Sequence, residues 1–179
     1  DSYSNVTGAF VRDDVKTLDK ADRALIKQKD VLKSSRRKET LCLRQANREV
    51  AIEKSAWFHL GNNCCMSILY NLRRISEICK EHVENNFLPL PTRYVADFES
   101  IRSKVATLFN DTLQMIDGEQ TDVVPALRRR CEEIKDMVSD TYHQLHVQLR
   151  DGDADAISVL YVYLNMLQET REMLSTMRK

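Results

Sequence analysis

The sequence predicts an all-α protein, an antiparallel bundle of about five long helices. Three observations point that way. Only four glycines and three prolines occur in 179 residues, too few for the many turns of a β-rich fold. Charged residues make up 30% of the chain, and the high share of Ala, Glu, Lys, Leu and Arg suits long helices. Apolar residues also recur at helical spacings. Val11, Leu18, Leu25 and Leu32 lie seven apart, a period that packs one helix along another. Cys64, Ile68, Leu72, Ile75 and Cys79 form a stripe on one face of a 3.6-residue helix, with a charged outer side.

Residues 1–8 (DSYSNVTG) are polar and read as a loose lead-in. One helix is expected from about Phe10 to about Asn47, with Ser34-Ser35 as the place where it would break. A second runs from about Arg48 to Asn86. Gly61-Asn62-Asn63 would bend it, because an interior glycine weakens a helix, with Trp57 and Phe58 anchoring the core beside the bend. Asn85-Asn86, followed by Pro89 and Pro91, end it. Thr92 is the expected N-cap of a third helix, whose inner face includes Phe98, Ile101, Val105 and Leu108 and which stops at Gly118. Thr121 or Asp122 would cap a fourth, with Pro125 tolerated in its first turn. Its stripe includes Leu127, Cys131, Ile134, Val138, Leu145 and Leu149. Asp151-Gly152-Asp153 reads as a turn, with Asp153 capping a fifth helix that faces inward through Leu160, Leu164, Leu167 and Leu174. The chain suits one domain, with possible sub-bundles at 9–117 and 121–179. SILYNLRRISE (67–77) and VLYVYLNMLQE (159–169) echo each other, aligning Leu72 with Leu164 and Ile75 with Leu167.

The formal net charge is zero, so no global charge argues for nucleic acid. Locally the picture differs. Residues 27–48 carry eight basic and two acidic side chains, peaking at Arg36-Arg37-Lys38. Such a patch can face anionic lipid headgroups or an acidic partner, or be a solvated helix face. Aromatics do not interleave with it, which argues against nucleic acid. Residues 97–122 carry six acids against two bases and are expected to pair with that basic helix across the bundle. Five cysteines, at 42, 64, 65, 79 and 131, make an odd number without a CxxC; reduced thiols in the cytosol are the expectation. No signal peptide is visible. The longest nearly apolar run, 156–164, falls short of the roughly 20 residues that span a bilayer.

The run Leu72-Arg73-Arg74-Ile75-Ser76-Glu77 resembles the LERIGD-type segment of PhoU-like proteins, helical-bundle regulators associated with bacterial phosphate uptake. From about Leu41 to Leu90 the chain is most similar to the kind found as the cytosolic C-terminal region of bacterial sodium/phosphate cotransporters. The resemblance implies two three-helix bundles related by pseudo-symmetry; five helices would leave the second one short. It also implies a metal site, since family members bind metal clusters through an E/D-x-x-x-D motif. Laid on this chain, that motif falls on Arg73 and Glu77, and again on Asn165 and Glu169. The first carboxylate is missing both times, and Arg73 would pair with Glu77 at i,i+4 instead. Glu77 and Glu81 keep the spacing, so Glu77, Glu81 and Glu169 are the candidate ligands for a divalent or trivalent metal.

The function implied is regulation or scaffolding at a bacterial phosphate transporter, through protein contacts. The expected partners are the transporter's transmembrane part, a second copy of the chain, and an anionic membrane surface met by Arg36, Arg37 and Lys38. The expected location is the cytosolic face of the inner membrane, within a longer membrane protein. Other chemistry has little support in the residues. Asp140, His143 and His146 are spaced i, i+3 and i+6, and the last turns too far round a straight helix to converge on one metal. His59 lacks the H-x-L-K-G spacing of phosphotransfer domains. No phosphate-binding glycine loop or nucleophile–base arrangement is present, so catalysis is not expected. The rival readings are a free-standing oligomeric signalling bundle, with the Val11–Leu32 stripe pairing between chains, and a metal-binding bundle.

Overall fold

Six helices carry the fold in the computed structural model, which describes residues 2–150 and 157–178. They are α1 (Ser2–Val11), α2 (Val15–Gln45), α3 (Arg48–Glu84), α4 (Thr92–Asp117), α5 (Val124–Arg150) and α6 (Ile157–Met177), with a 3-10 turn at Thr121–Val123 before α5. No strand occurs among the described residues, so the all-α class holds. The helix count is six where five are expected.

The extra helix is α1. The polar lead-in expected at residues 1–8 is a correction: from residue 2 onward that stretch is helical, and Tyr3, Val6, Thr7, Ala9 and Phe10 are buried. Its buried polar side chains, Tyr3 and Thr7, are matched. The Tyr3 hydroxyl is 3.1 Å from Thr170 Oγ1 on α6. Arg102 of α4 reaches across α1, donating from Nε to Thr7 Oγ1 (2.8 Å) and from Nη2 to the Ser4 carbonyl (3.1 Å). Gly8 makes room for that guanidinium, because a Cβ there would stand 2.6 Å from Arg102 Nη2. The hydrogen bonds remove the cost of burying these polar groups, so a polar sequence can be an inner helix.

The break after the first helical segment falls at residues 12–14, not at Ser34-Ser35, which sit inside α2. Asp13 takes a left-handed backbone (φ 58°), and Asp14 then caps α2: its carboxylate accepts from the Thr17 N–H (3.1 Å) and the Thr17 hydroxyl (2.6 Å). Those bonds hold the Asp14 carboxyl below the usual carboxylate range. Three other expectations need correcting. Gly61-Asn62-Asn63 interrupts nothing, since α3 is helical from Arg48 to Glu84. Pro91 occupies the N-cap position of α4, making Thr92 its first helical residue. Past α4, Gly118 keeps an ordinary φ of −90° and Glu119 takes the left-handed turn (φ 51°). A 3-10 turn over Thr121–Val123, not a side-chain cap, leads into α5. The expected Asp153 cap lies outside the described residues.

One core draws on all six helices. α3 packs on α1, α2 and α6; α5 packs on α4 and α6; α1 also touches α4. Tyr163 of α6 meets Phe98 of α4 edge-on at 5.0 Å between ring centres. Leu72 and Leu164 are both buried, as are Ile75 and Leu167, so the echoing segments on α3 and α6 both face the core. The expected pairing of the basic segment with the acidic 97–122 segment is not made. Among the described residues, α2's ion pair to another helix is Asp19 with Lys80 of α3 (2.6 Å).

The core occupies only part of α2 and α3. From residue 26 to residue 61 no residue is buried. The end of α2 and the start of α3 therefore form a two-helix arm that leaves the bundle. Trp57, expected in the core, lies on this arm and is 73% exposed; no helix covers its side of α3 there. Stability measured by urea unfolding should separate the regions. Phe10→Ala should cost about 3–5 kcal/mol, Trp57→Ala should stay within about 0.5 kcal/mol of wild type, and Gly61→Ala should gain about 1 kcal/mol, because a Cβ at Gly61 meets open space. A Trp57→Ala loss equal to that of Phe10→Ala would contradict this division.

Candidate functional site

The arm is where the chain presents unmatched chemistry. Its two helices run antiparallel, with Lys29 of α2 stacked 5.4 Å over the Tyr70 ring of α3 at the base. Their seam is thin. Leu32, Thr40 and Leu43 of α2 and Ala51, Ser55 and Phe58 of α3 are only half-buried. Around that seam Val31, Leu41, Val50, Ile52 and Leu60 are exposed large apolar side chains. None of the eight cations in 27–48 forms an ion pair with a carboxylate among the described residues. Arg36, Arg37 and Lys38 are all exposed, as a partner or membrane surface requires.

A shallow groove opens on one side of the arm. Thr40, Leu43 and Arg44 form its α2 wall, and Arg48, Ala51, Ile52, Ser55 and His59 form its α3 wall. It combines two guanidinium groups with an aliphatic floor. The sequence reading counts Arg44 and Arg48 in the basic segment without singling them out, and passes over Ile52. The signal was there: Arg48, Ile52, Ser55 and His59 are spaced four, three and four apart, one side of a helix. It was masked by the neighbouring run Arg36-Arg37-Lys38, which dominates any local charge count.

The metal candidates do not come together. Glu77 accepts from Arg73 Nη2 at 2.7 Å, the i,i+4 pair expected from sequence. Glu169 lies on α6 and is held across the helix interface by Arg74, whose Nη2 is 2.9 Å from Oε2, in contact though off the line of a hydrogen bond. Glu81 is exposed on α3. Among the described residues no three His, Cys, Asp or Glu side chains group as a metal site needs, and guanidinium groups already neutralise two of the three candidates. His143 and His146 are exposed beside Tyr142. All five cysteines are free. Cys79 is buried, its Sγ donating to Met166 Sδ at 3.4 Å, and burial pushes its thiol far above the usual range, which makes it unreactive.

Polar groups inside the bundle serve the fold. His82 is buried, its ring 5.6 Å from that of Phe10 and 5.3 Å from that of Phe87, with Nε2 2.9 Å from the Leu88 carbonyl. It fixes the turn after α3. Burial lifts the Tyr3 hydroxyl to about 12, opposed by its Thr170 contact. No helix of the described residues is long and apolar enough to cross a membrane. No family model matches the chain, and no curated protein or solved structure matches it significantly. The class defined here is an all-α bundle with a projecting, cationic two-helix arm.

Glu169 provides a pH test of the α3–α6 contact. Its side chain is 15% exposed, and burial raises its pKa above the ordinary value of 4.5, against the lowering effect of Arg74. A carboxyl with a raised folded-state pKa holds its proton longer in the folded than in the unfolded chain. Its contribution to stability is therefore present at low pH and is lost as pH rises through the folded value. Wild type should lose stability relative to Glu169→Gln as pH rises from about 4 to about 7. A wild-type advantage that grows over this range would show that Arg74 outweighs burial.

Proposed function

We propose that the chain is a PhoU-like regulatory and scaffolding bundle, the cytosolic part of a bacterial sodium/phosphate cotransporter, and that it acts by contact rather than catalysis. The observation that carries the contact reading is the arm, with its exposed apolar side chains and unmatched cations outside a well-packed core. The family reading rests on the Leu72–Glu77 run. Its position supports that reading: Leu72, Ile75 and Ser76 are buried in the C-terminal half of α3 while Arg73 and Arg74 make ion pairs at the edge. A short motif that both packs and fixes neighbours is what a bundle family would keep.

In this mechanism the bundle provides a rigid body and the arm provides the docking element. Docking biases the transporter's conformational equilibrium only if the arm meets one transporter state better than another. The rival oligomeric reading used the Val11–Leu32 stripe as a contact between chains. Leu18 and Leu25 of that stripe are fully buried within this chain, so the stripe is already occupied.

Sequencing the native gene upstream of the codon for Asp1 tests the proposal. Several apolar segments of about 20 residues in frame are expected. A start codon close to Asp1, with none of them, would overturn the transporter-domain reading.

A further inference from the structure

The chain's charge is neutral in total and segregated in space. The segment 27–48 has a net charge of +6 in a chain of net zero, so the rest of the protein carries the balancing negative charge. Among the described residues the two do not meet in ion pairs. The basic segment is instead half of an arm in which nothing is buried from residue 26 to residue 61.

On one side of that arm, cations and apolar groups share a surface. Lys33, Arg37 and Arg44 are spaced four and seven apart on α2, and Arg48, Ile52 and His59 are spaced four and seven apart on α3. Each set lies along one side of its helix. Arg44 and Arg48 line the same groove, together with Leu43, Ala51 and Ile52. Ser55 adds a hydroxyl at the rim, whereas Thr40 donates its own to the Arg36 carbonyl (2.8 Å). The arm's four carboxylates, Asp30, Glu39, Glu49 and Glu53, do not line the groove.

We propose that this face of the arm docks on an anionic phospholipid surface, with Arg44 and Arg48 binding headgroup phosphate oxygens and Ile52 entering the acyl boundary. Guanidinium forks match phosphate geometry and are more weakly hydrated than ammonium groups. Clustered Lys and Arg on an amphipathic helical surface gain from the potential of an anionic leaflet, and a shallow aliphatic floor adds burial without a spanning segment. A free phosphate ion would use the two arginines but leave the floor bare. A protein helix would gain most apolar burial from the arm's other side, where Trp57 and Leu60 are exposed. The inference deepens the contact reading by naming what the arm meets. It rests on that reading only in taking the arm as the working surface, and its test is independent of gene context.

The test is vesicle flotation with the whole chain, comparing phosphatidylglycerol/phosphatidylcholine vesicles with phosphatidylcholine alone. Binding should require phosphatidylglycerol and fall as salt rises. Arg44→Gln/Arg48→Gln should bind about 30-fold more weakly, while Arg128→Gln/Arg129→Gln, altered at exposed arginines of α5, should bind as wild type. Circular dichroism reports that each variant is folded. The face is tested by fluorescence, since the chain has one tryptophan. Trp57 lies five residues, about 140°, around α3 from Ile52 and should keep its water-exposed emission on binding. The Ile52→Trp, Trp57→Phe protein should shift to the blue. Equal binding to neutral vesicles, indifference to Arg44→Gln/Arg48→Gln, or a blue shift of Trp57 without one at position 52 would each overturn the proposal. So would saturable binding of inorganic phosphate that needs Arg44 and Arg48 with no binding to vesicles, because the ligand would then be a soluble anion.

Discussion

α3 is longer than the core it serves. Its 37 residues run about 55 Å, whereas α6, which packs against it, has 21. The register of the contact shows where cover ends. Cys79 meets Met166 and Asn71 meets the Glu169 carbonyl, so the two helices run antiparallel. Another seven residues along α3 brings Cys64 level with the end of α6. Beyond that point α3 has only α2 beside it. Two helices bury one seam, and side chains off the seam stay in water whatever their chemistry. The exposure of Trp57, Leu60 and Val50 follows from this mismatch of lengths.

The same mismatch explains why the basic segment forms no ion pair with a carboxylate among the described residues. The acidic 97–122 segment lies on α4 and the turn after it, and α4 packs on α1 and α5. Its carboxylates that do pair find local or neighbouring arginines: Glu99 with Arg102, and Asp111 with Arg130. Pairing across the bundle would require the arm to fold back over α4. The arm would then give up helix continuity in α2 or α3 for exposed ion pairs, which contribute about 1 kcal/mol at most. A neutral total charge therefore hides two separated surfaces.

Periodicity made the bundle legible, and its failures have physical causes. Helix spans over α3, α4 and α5 were readable because apolar spacing and the punctuation at Pro89–Pro91 and Gly118 agree. α1 was not readable, because its burial depends on Arg102 and Thr170, more than ninety residues away. Nothing local marks Ser4 or Thr7 as inner residues. Trp57 misled for the opposite reason: a large aromatic is ordinarily a core residue, and the sequence does not state where α6 stops covering α3. The Arg73–Glu77 pair was legible because i,i+4 geometry is local. Arg74–Glu169 joins two helices and needed the fold. The groove residues lay in between, with regular spacing but no local reason to rank them above Arg36–Lys38.

Burial separates the structural region of this molecule from its exposed arm. In the bundle, Thr7, Thr170 and His82 are buried and each has a partner within 3.1 Å. Those bonds offset the burial of these three, whereas Asn62 Oδ1, Ser76 Oγ and Tyr163 OH are buried without a partner among the described residues; substitutions here act through stability. On the arm, the cations of 27–48 have no carboxylate partner among the described residues and apolar side chains are exposed, so little in the folded chain depends on them. A surface that contributes little to its own fold is free to be set by what it touches. Gly61 fits that logic. It costs helix stability, and among the described residues no packing neighbour lies within 4 Å of where its side chain would be. The fold alone gives no reason for a glycine there, whereas a surface that meets another body does.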